Sequence, residues 1–212
     1  MQHVWEPVRE IFIKGGPVMW PLLGVSLLAV ALIVERLLFW LGAHRSGRDQ
    51  WLSDVMERLR ASDEAAIRAI IAKDRSPYAE VVRDLLSLPS YDDLAIELIE
   101  RHRRQFERYG ATLSTIITAA PLLGILGTVT GIIESFQLLG AARQITNIES
   151  VASGIAEALI TTAFGLVVTL VVVFPYMAFR SQAERAFGAI ELLAAVRRSA
   201  PKIAPSGGAR AG

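Results

Sequence analysis

With 212 residues, 52% of them hydrophobic, the chain has one modest domain's worth of length and is unusually apolar for a protein folding in water. A net charge of +1 supplies no global field to attract nucleic acid, which is not expected as a partner. The absence of cysteine excludes disulfides, zinc thiolate sites and iron–sulfur clusters, so no cofactor or metal is called for.

Residues 1–16 read as a short amphipathic segment, with Val4, Trp5, Val8, Ile11 and Phe12 on one face before Gly15–Gly16 and Pro17 break it. Glu6 and Glu10 stand where a cleavable signal would carry basic residues. The apolar run that follows is therefore expected to persist as an anchor. It spans residues 17–41 and carries no charge from Val18 to Val34. About 20 helical residues rise about 30 Å, the thickness of a hydrocarbon core. Trp20 and Trp40 bracket the run as belt residues would at two membrane interfaces.

Residues 42–110 read as helical and water-exposed, with twelve basic and thirteen acidic side chains forming a solvated face. Trp51, Leu52, Val55, Met56 and Leu59 repeat at helical spacing. Ser62–Asp63–Glu64 marks a helix start, Ser76–Pro77 and Pro89 mark breaks, and Ser90 with Asp93 forms a capping box. No breaker stands between Asp92 and Pro121, which predicts one helix running straight into the second span at 111–139. A connection at 140–150 leads to a third span at 151–179, antiparallel to the second. Pro121 and Pro175 are candidate kinks. The third helix is expected to continue over 180–199 through Ala183, Phe187, Ile190 and Val196, before a Pro/Gly/Ala-rich tail at 200–212 that reads as disordered. The fold class is thus an all-α membrane protein with three transmembrane helices, the second and third extended into a helical bundle on one side. Basic residues set the side: twelve in 42–110 and six from Arg180 onward, against Arg9 and Lys14 before the first span and Arg143 in the connection. The positive-inside rule places the bundle in the cytoplasm, and the N-terminus and connection outside.

Glu157 is the most informative residue. It is the only charged side chain in 151–179, and a carboxylate inside an apolar span is costly unless it faces a bundle interior or water. The alternative is a hydrated carboxylate near the outer interface, about 9 Å of helix from Val151. Gly154, Glu157, Thr161 and Gly165 share one helical stripe, a face of small and hydroxylated residues suited to helix contact or to water. The second span carries Gly124, Gly127 and Gly131, with Thr128 and Thr130 among them. Its Glu134 lies near the outer end and reads as interfacial rather than as a carrier. Catalytic signatures of the HExxH, GxSxG and P-loop kinds are missing, and the three histidines fall outside the spans, so the chain does not read as an enzyme.

The run from Pro121 through Gly124, Gly127, Thr128, Thr130 and Gly131 to Phe136 resembles the second-span signature of the MotA/TolQ/ExbB proton-channel family. The run Gly154–Leu166 resembles its third-span signature. Three spans favour the ExbB/TolQ branch. The resemblance implies a homo-pentameric ring in the bacterial inner membrane, its second and third helices lining a pore. It implies a small partner of the ExbD/TolR type with an aspartate in that pore, and work passed to a TonB- or TolA-like protein spanning the periplasm. It places the pore carboxylate on Glu157 and the pore threonines on Thr128 and Thr162. On an ideal helix Thr162 sits about 140° from Glu157 whereas Thr161 is nearly eclipsed with it, so Thr161 shares the candidacy. Gly124, Gly127, Gly131, Gly154 and Gly165 are the expected helix-packing positions. ExbB-like and TolQ-like service stay equally open, and the competing reading is a non-conducting membrane scaffold held together by the Gly/Thr faces.

Overall fold

The structure, a computed structural model, describes residues 16–43, 47–89, 93–141 and 148–200. The amphipathic segment before Gly16, the Ser90 half of the capping box, the middle of the 140–150 connection and the tail beyond Ala200 lie outside the described residues. Among the described residues every regular element is a helix: α1 (Met19–Ala43), α2 (Arg48–Arg60), α3 (Glu64–Ala72), α4 (Pro77–Ser87), α5 (Leu94–Phe106), α6 (Gly110–Ala141) and α7 (Ile148–Ser199). Three of them, α1, α6 and α7, are long and apolar enough to cross a membrane. Pro121 lies inside α6 and Pro175 inside α7.

The chain divides into two compact units, one of residues 1–35 and 109–178, the other of residues 36–108 and 179–212. The second unit is a bundle of short helices whose boundaries follow local chemistry. Asp63 caps α3, its carboxylate accepting from the Ala66 N–H at 3.0 Å. Ser62, next to it, takes a left-handed turn at φ 56°. Ser76 caps α4 through a 3.3 Å bond from the Ala79 N–H, and Pro77 starts the helix where its missing donor costs nothing. The buried core joins Val55, Leu59, Ile67, Leu85, Leu98 and Phe106 to Ile190 and Leu193 of α7.

Two expectations are overturned here. The helix over 92–121 is not continuous: α5 ends at Phe106, Tyr109 turns left-handed at φ 63°, and α6 starts afresh at Gly110. The stop is held from elsewhere in the unit. Arg36, 1% exposed, donates from Nη1 to the Gln105 carbonyl (3.1 Å) and from Nη2 to the Phe106 carbonyl (2.7 Å). It thus satisfies carbonyls that a helix end leaves without partners. Trp40 is not a membrane-belt residue either. It is 2% exposed, and its ring lies 5.3 Å from that of Phe39 and 6.0 Å from that of Phe106, inside the bundle core.

Candidate carboxylate site between two spanning helices

In the spanning unit α6 and α7 lie antiparallel and come together at five glycines. A Cβ on Gly124 would stand 2.9 Å from Thr162 Cα, one on Gly127 2.7 Å from Thr161 Cβ, and one on Gly131 2.9 Å from Ala158 Cβ. From the other helix, a Cβ on Gly154 would strike Ser135 Oγ, and one on Gly165 would stand 2.5 Å from the Ala120 carbonyl oxygen. These contacts run down α6 as they run up α7. Such backbone proximity is how helices gain packing energy in lipid, where burial of large apolar groups supplies little drive.

The two candidate threonines on α7, Thr161 and Thr162, divide their tasks. Thr161 is 1% exposed, and its hydroxyl bonds back to Ala158 O at 2.7 Å while its side chain fills the space left at Gly127. Thr162 reaches across, donating to Gly124 O at 2.7 Å. On α6, Thr128 donates to Ile125 O (2.7 Å) and Thr130 to Gly127 O (3.0 Å), both within their own helix.

Glu157, half-buried, opens onto a small pocket. Thr161 shares its own wall of that pocket, and α6 supplies Gly127, Thr130, Gly131 and Glu134. The chain entering α1 supplies Gly16, Pro17 and Val18. Gly16 has φ +64°, and a Cβ there would strike Glu157 Oε1. Glycine is thus required twice over, by the left-handed backbone and by the carboxylate lying against it. The arrangement brings Glu157, Thr161, Gly127 and Gly131 together around one space. Thr128 and Thr162 are not among the residues lining it.

Glu134 also lines this pocket. Judged by depth it reads as interfacial, yet Gly127, Gly131 and Glu134 recur at helical spacing on the face of α6 that turns toward Glu157. That spacing was the available signal. Glu134 is exposed and shares the pocket with Glu157. Among the described residues no group of three His, Asp or Glu side chains is placed to hold a metal ion.

Comparison with known proteins fits this architecture. The sequence profile of the MotA/TolQ/ExbB proton channel family matches residues 75–192. A putative biopolymer transport protein ExbB-like 3 of Synechocystis sp. is 36% identical over 84% of this chain and 87% of its own length. The Tol-Pal system protein TolQ of Pseudomonas aeruginosa is 39% identical over 42% of this chain and 38% of its own. The biopolymer transport protein ExbB of Salmonella typhimurium is 45% identical over 37% of this chain and 32% of its own. With the match taking in both glycine-rich spans and the α4 and α5 helices of the bundle, the chain is a multi-pass membrane protein that belongs to the MotA/TolQ/ExbB proton channel family, on its ExbB/TolQ branch.

Proposed function

We propose that this chain is the proton-channel subunit of an inner-membrane motor of the ExbB–ExbD or TolQ–TolR type, with Glu157 as the group that takes up and releases the proton. The observation that carries the reading is Glu157 itself: the only charge in the third span, held against a pocket between α6 and α7. Several copies, a pentamer by family analogy, form a ring through their α6 and α7 faces. A small subunit of the ExbD/TolR kind supplies a second protonatable group on a single membrane helix. Proton flow through the ring drives relative movement, and a TonB- or TolA-like protein carries the work to outer-membrane transport or envelope maintenance. The chain is not an enzyme in this reading. Thr162 ties the third helix to the second at Gly124, Thr161 packs behind the carboxylate, and Thr128 faces the ring lumen.

The excess of basic residues in 42–110 and after Arg180 puts the bundle in the cytoplasm. Cysteines introduced at Lys73 and Arg143, in a chain that has none, should react with impermeant thiol reagents from opposite sides of the membrane. Periplasmic labelling at position 73 would reverse the orientation.

The central test is Glu157→Gln, which keeps shape and hydrogen bonding but cannot carry a proton. Expected is an intact oligomer that still binds its small subunit but supports no gradient-driven work. Thr128→Ala and Thr162→Ala should cost less, since water can replace a hydroxyl. Full activity from Glu157→Gln at normal expression would instead favour a non-conducting scaffold.

A further inference from the structure

Two carboxylates line the pocket, and they differ in burial. Glu157 is half-buried, and the chain at Gly16 lies against its Oε1. Glu134, on the opposite wall, is exposed. The close approach of the helices at Gly127 and Gly131 is what brings the two onto one cavity. Thr130 lines the same pocket. Its hydroxyl proton is spent on the Leu126 and Gly127 carbonyls at 3.1 and 3.0 Å, which leaves its oxygen able to accept. Among the described residues, Glu134 and Glu157 are the only ionisable groups on the pocket wall.

We infer that Glu134 is the entry carboxyl of the proton path, a positioning residue that collects a proton from water and hands it to Glu157. The inference rests on the reading of Glu157 as the proton carrier. In the first step a carboxylate oxygen of Glu134 forms an O–H bond with a proton from hydronium, releasing water. In the second that O–H bond breaks and the proton joins the Glu157 carboxylate, directly or along a hydrogen-bonded water. Glu134 returns to its starting charge, and nothing is oxidised or reduced. A carboxyl suits the post because a group that only donates or only accepts cannot do both in turn. The turn at Gly16 lies against Glu157 Oε1, so the more buried of the two carboxyls is the inner station of the route and the exposed Glu134 the outer one.

The experiment compares Glu134→Gln, Glu134→Asp and the unaltered full-length protein, assembled with its own small subunit. It has two readouts: the rate of gradient-driven work in cells, and the pH profile of carbodiimide labelling at Glu157, located by mass spectrometry. Glu134→Gln should slow work severalfold without changing oligomer size, and should displace the labelling profile, because the neighbouring charge is gone. Glu134→Asp should restore most of the rate. Glu134→Asn serves the same purpose where Glu134→Gln assembles poorly. An unchanged rate overturns the inference, as does a slowed rate with superimposable labelling profiles and no rescue by aspartate, which marks a merely structural role. Either result leaves Glu157 standing as carrier. Loss of that reading would show separately, as full activity in Glu157→Gln.

Discussion

In the bundle the buried positions belong to large side chains: Leu85, Leu98, Phe106 and Ile190 are each at most 1% exposed. Where α6 and α7 touch most closely, over residues 120–135 and 154–165, the buried positions are Ala120, Gly124, Gly127, Ser135, Ala158, Thr161 and Gly165, while Leu113, Ile116, Val168 and Val172 are buried further along the two helices. The large residues beside that closest contact, among them Leu122, Ile125, Leu159 and Leu166, face outward. Of the exposed large hydrophobics among the described residues, only Ile96 and Leu192 fall outside the three apolar stretches. At that closest contact the chain thus follows a different rule from the one that governs the bundle. In water, removing large apolar surface drives assembly. In hydrocarbon that drive is absent, so contact is left to small residues that let backbones touch, and those same gaps are where a pocket with carboxylates can form.

The comparison breaks if truncation and enlargement hurt both regions alike. Phe106→Ala should have the largest effect. Its ring is 1% exposed and packs against Phe39, Trp40, Tyr78 and Phe187 at centroid distances of 6.4, 6.0, 5.7 and 6.0 Å. Its loss should cost about 3–5 kcal/mol in thermal or denaturant unfolding of the full-length protein in detergent. Gly165→Ala comes next, at about 1–3 kcal/mol for a single added methyl. The new Cβ would meet backbone on both sides, 2.5 Å from Ala120 O and 3.3 Å from Gly124 Cα, and backbone cannot swing aside. Leu170→Ala, a truncation at a residue 57% exposed on the same helix, should leave stability nearly unchanged. A large loss at Leu170 together with tolerance at Gly165 would mean that the spans pack like the bundle.

Much of this was legible locally. Apolar run lengths place the three spans, and helical spacing with Ser76–Pro77 and Asp63 places the bundle helices. What could not be read depends on residues far apart in sequence. Nothing near Phe106 forbids a helix continuing to Pro121. The stop comes from Arg36, about 70 positions earlier, whose guanidinium takes the last carbonyls, and from an aromatic cluster that draws Phe106 inward. Trp40 looks like a belt residue until that cluster claims it. An ideal helical wheel aligns Thr161 with Glu157 but is silent on which hydroxyl crosses to α6. That follows from register, which sets Thr161 on Gly127 and delivers Thr162 to Gly124 O. Glu134 is the same case: its depth suggests an interface, and only the partner helix shows that it shares a pocket.

The smallest expected effect sharpens the contrast from the bundle side, where charge is held by fixed partners. Asp74 sits in the turn before α4. Its Oδ1 accepts from the Ser76 N–H at 2.8 Å, and its Oδ2 meets Arg48 Nη1 at 3.0 Å. Arg48 in turn donates from Nε to Ala43 O at 3.0 Å and lies 4.9 Å from the Trp51 ring and 5.2 Å from the Tyr78 ring. Partial burial pushes the Asp74 carboxyl up, but the Ser76 and Arg48 donors together outweigh it and hold it below its ordinary value. A carboxyl lowered on folding contributes stability that is complete above its unfolded value, about pH 4, and is lost as pH falls through the lower folded value. Asp74→Asn removes that contribution without removing the side chain's shape. The melting temperature of the variant should therefore lie below that of the unaltered protein at neutral pH, and the gap should close as pH falls below about 4. Other carboxyls titrate in both proteins and cancel in the difference. A gap that stays constant through the acid range would mean that Asp74 acts by shape alone, and that the Arg48 clamp owes its hold to the two rings and the Ala43 carbonyl.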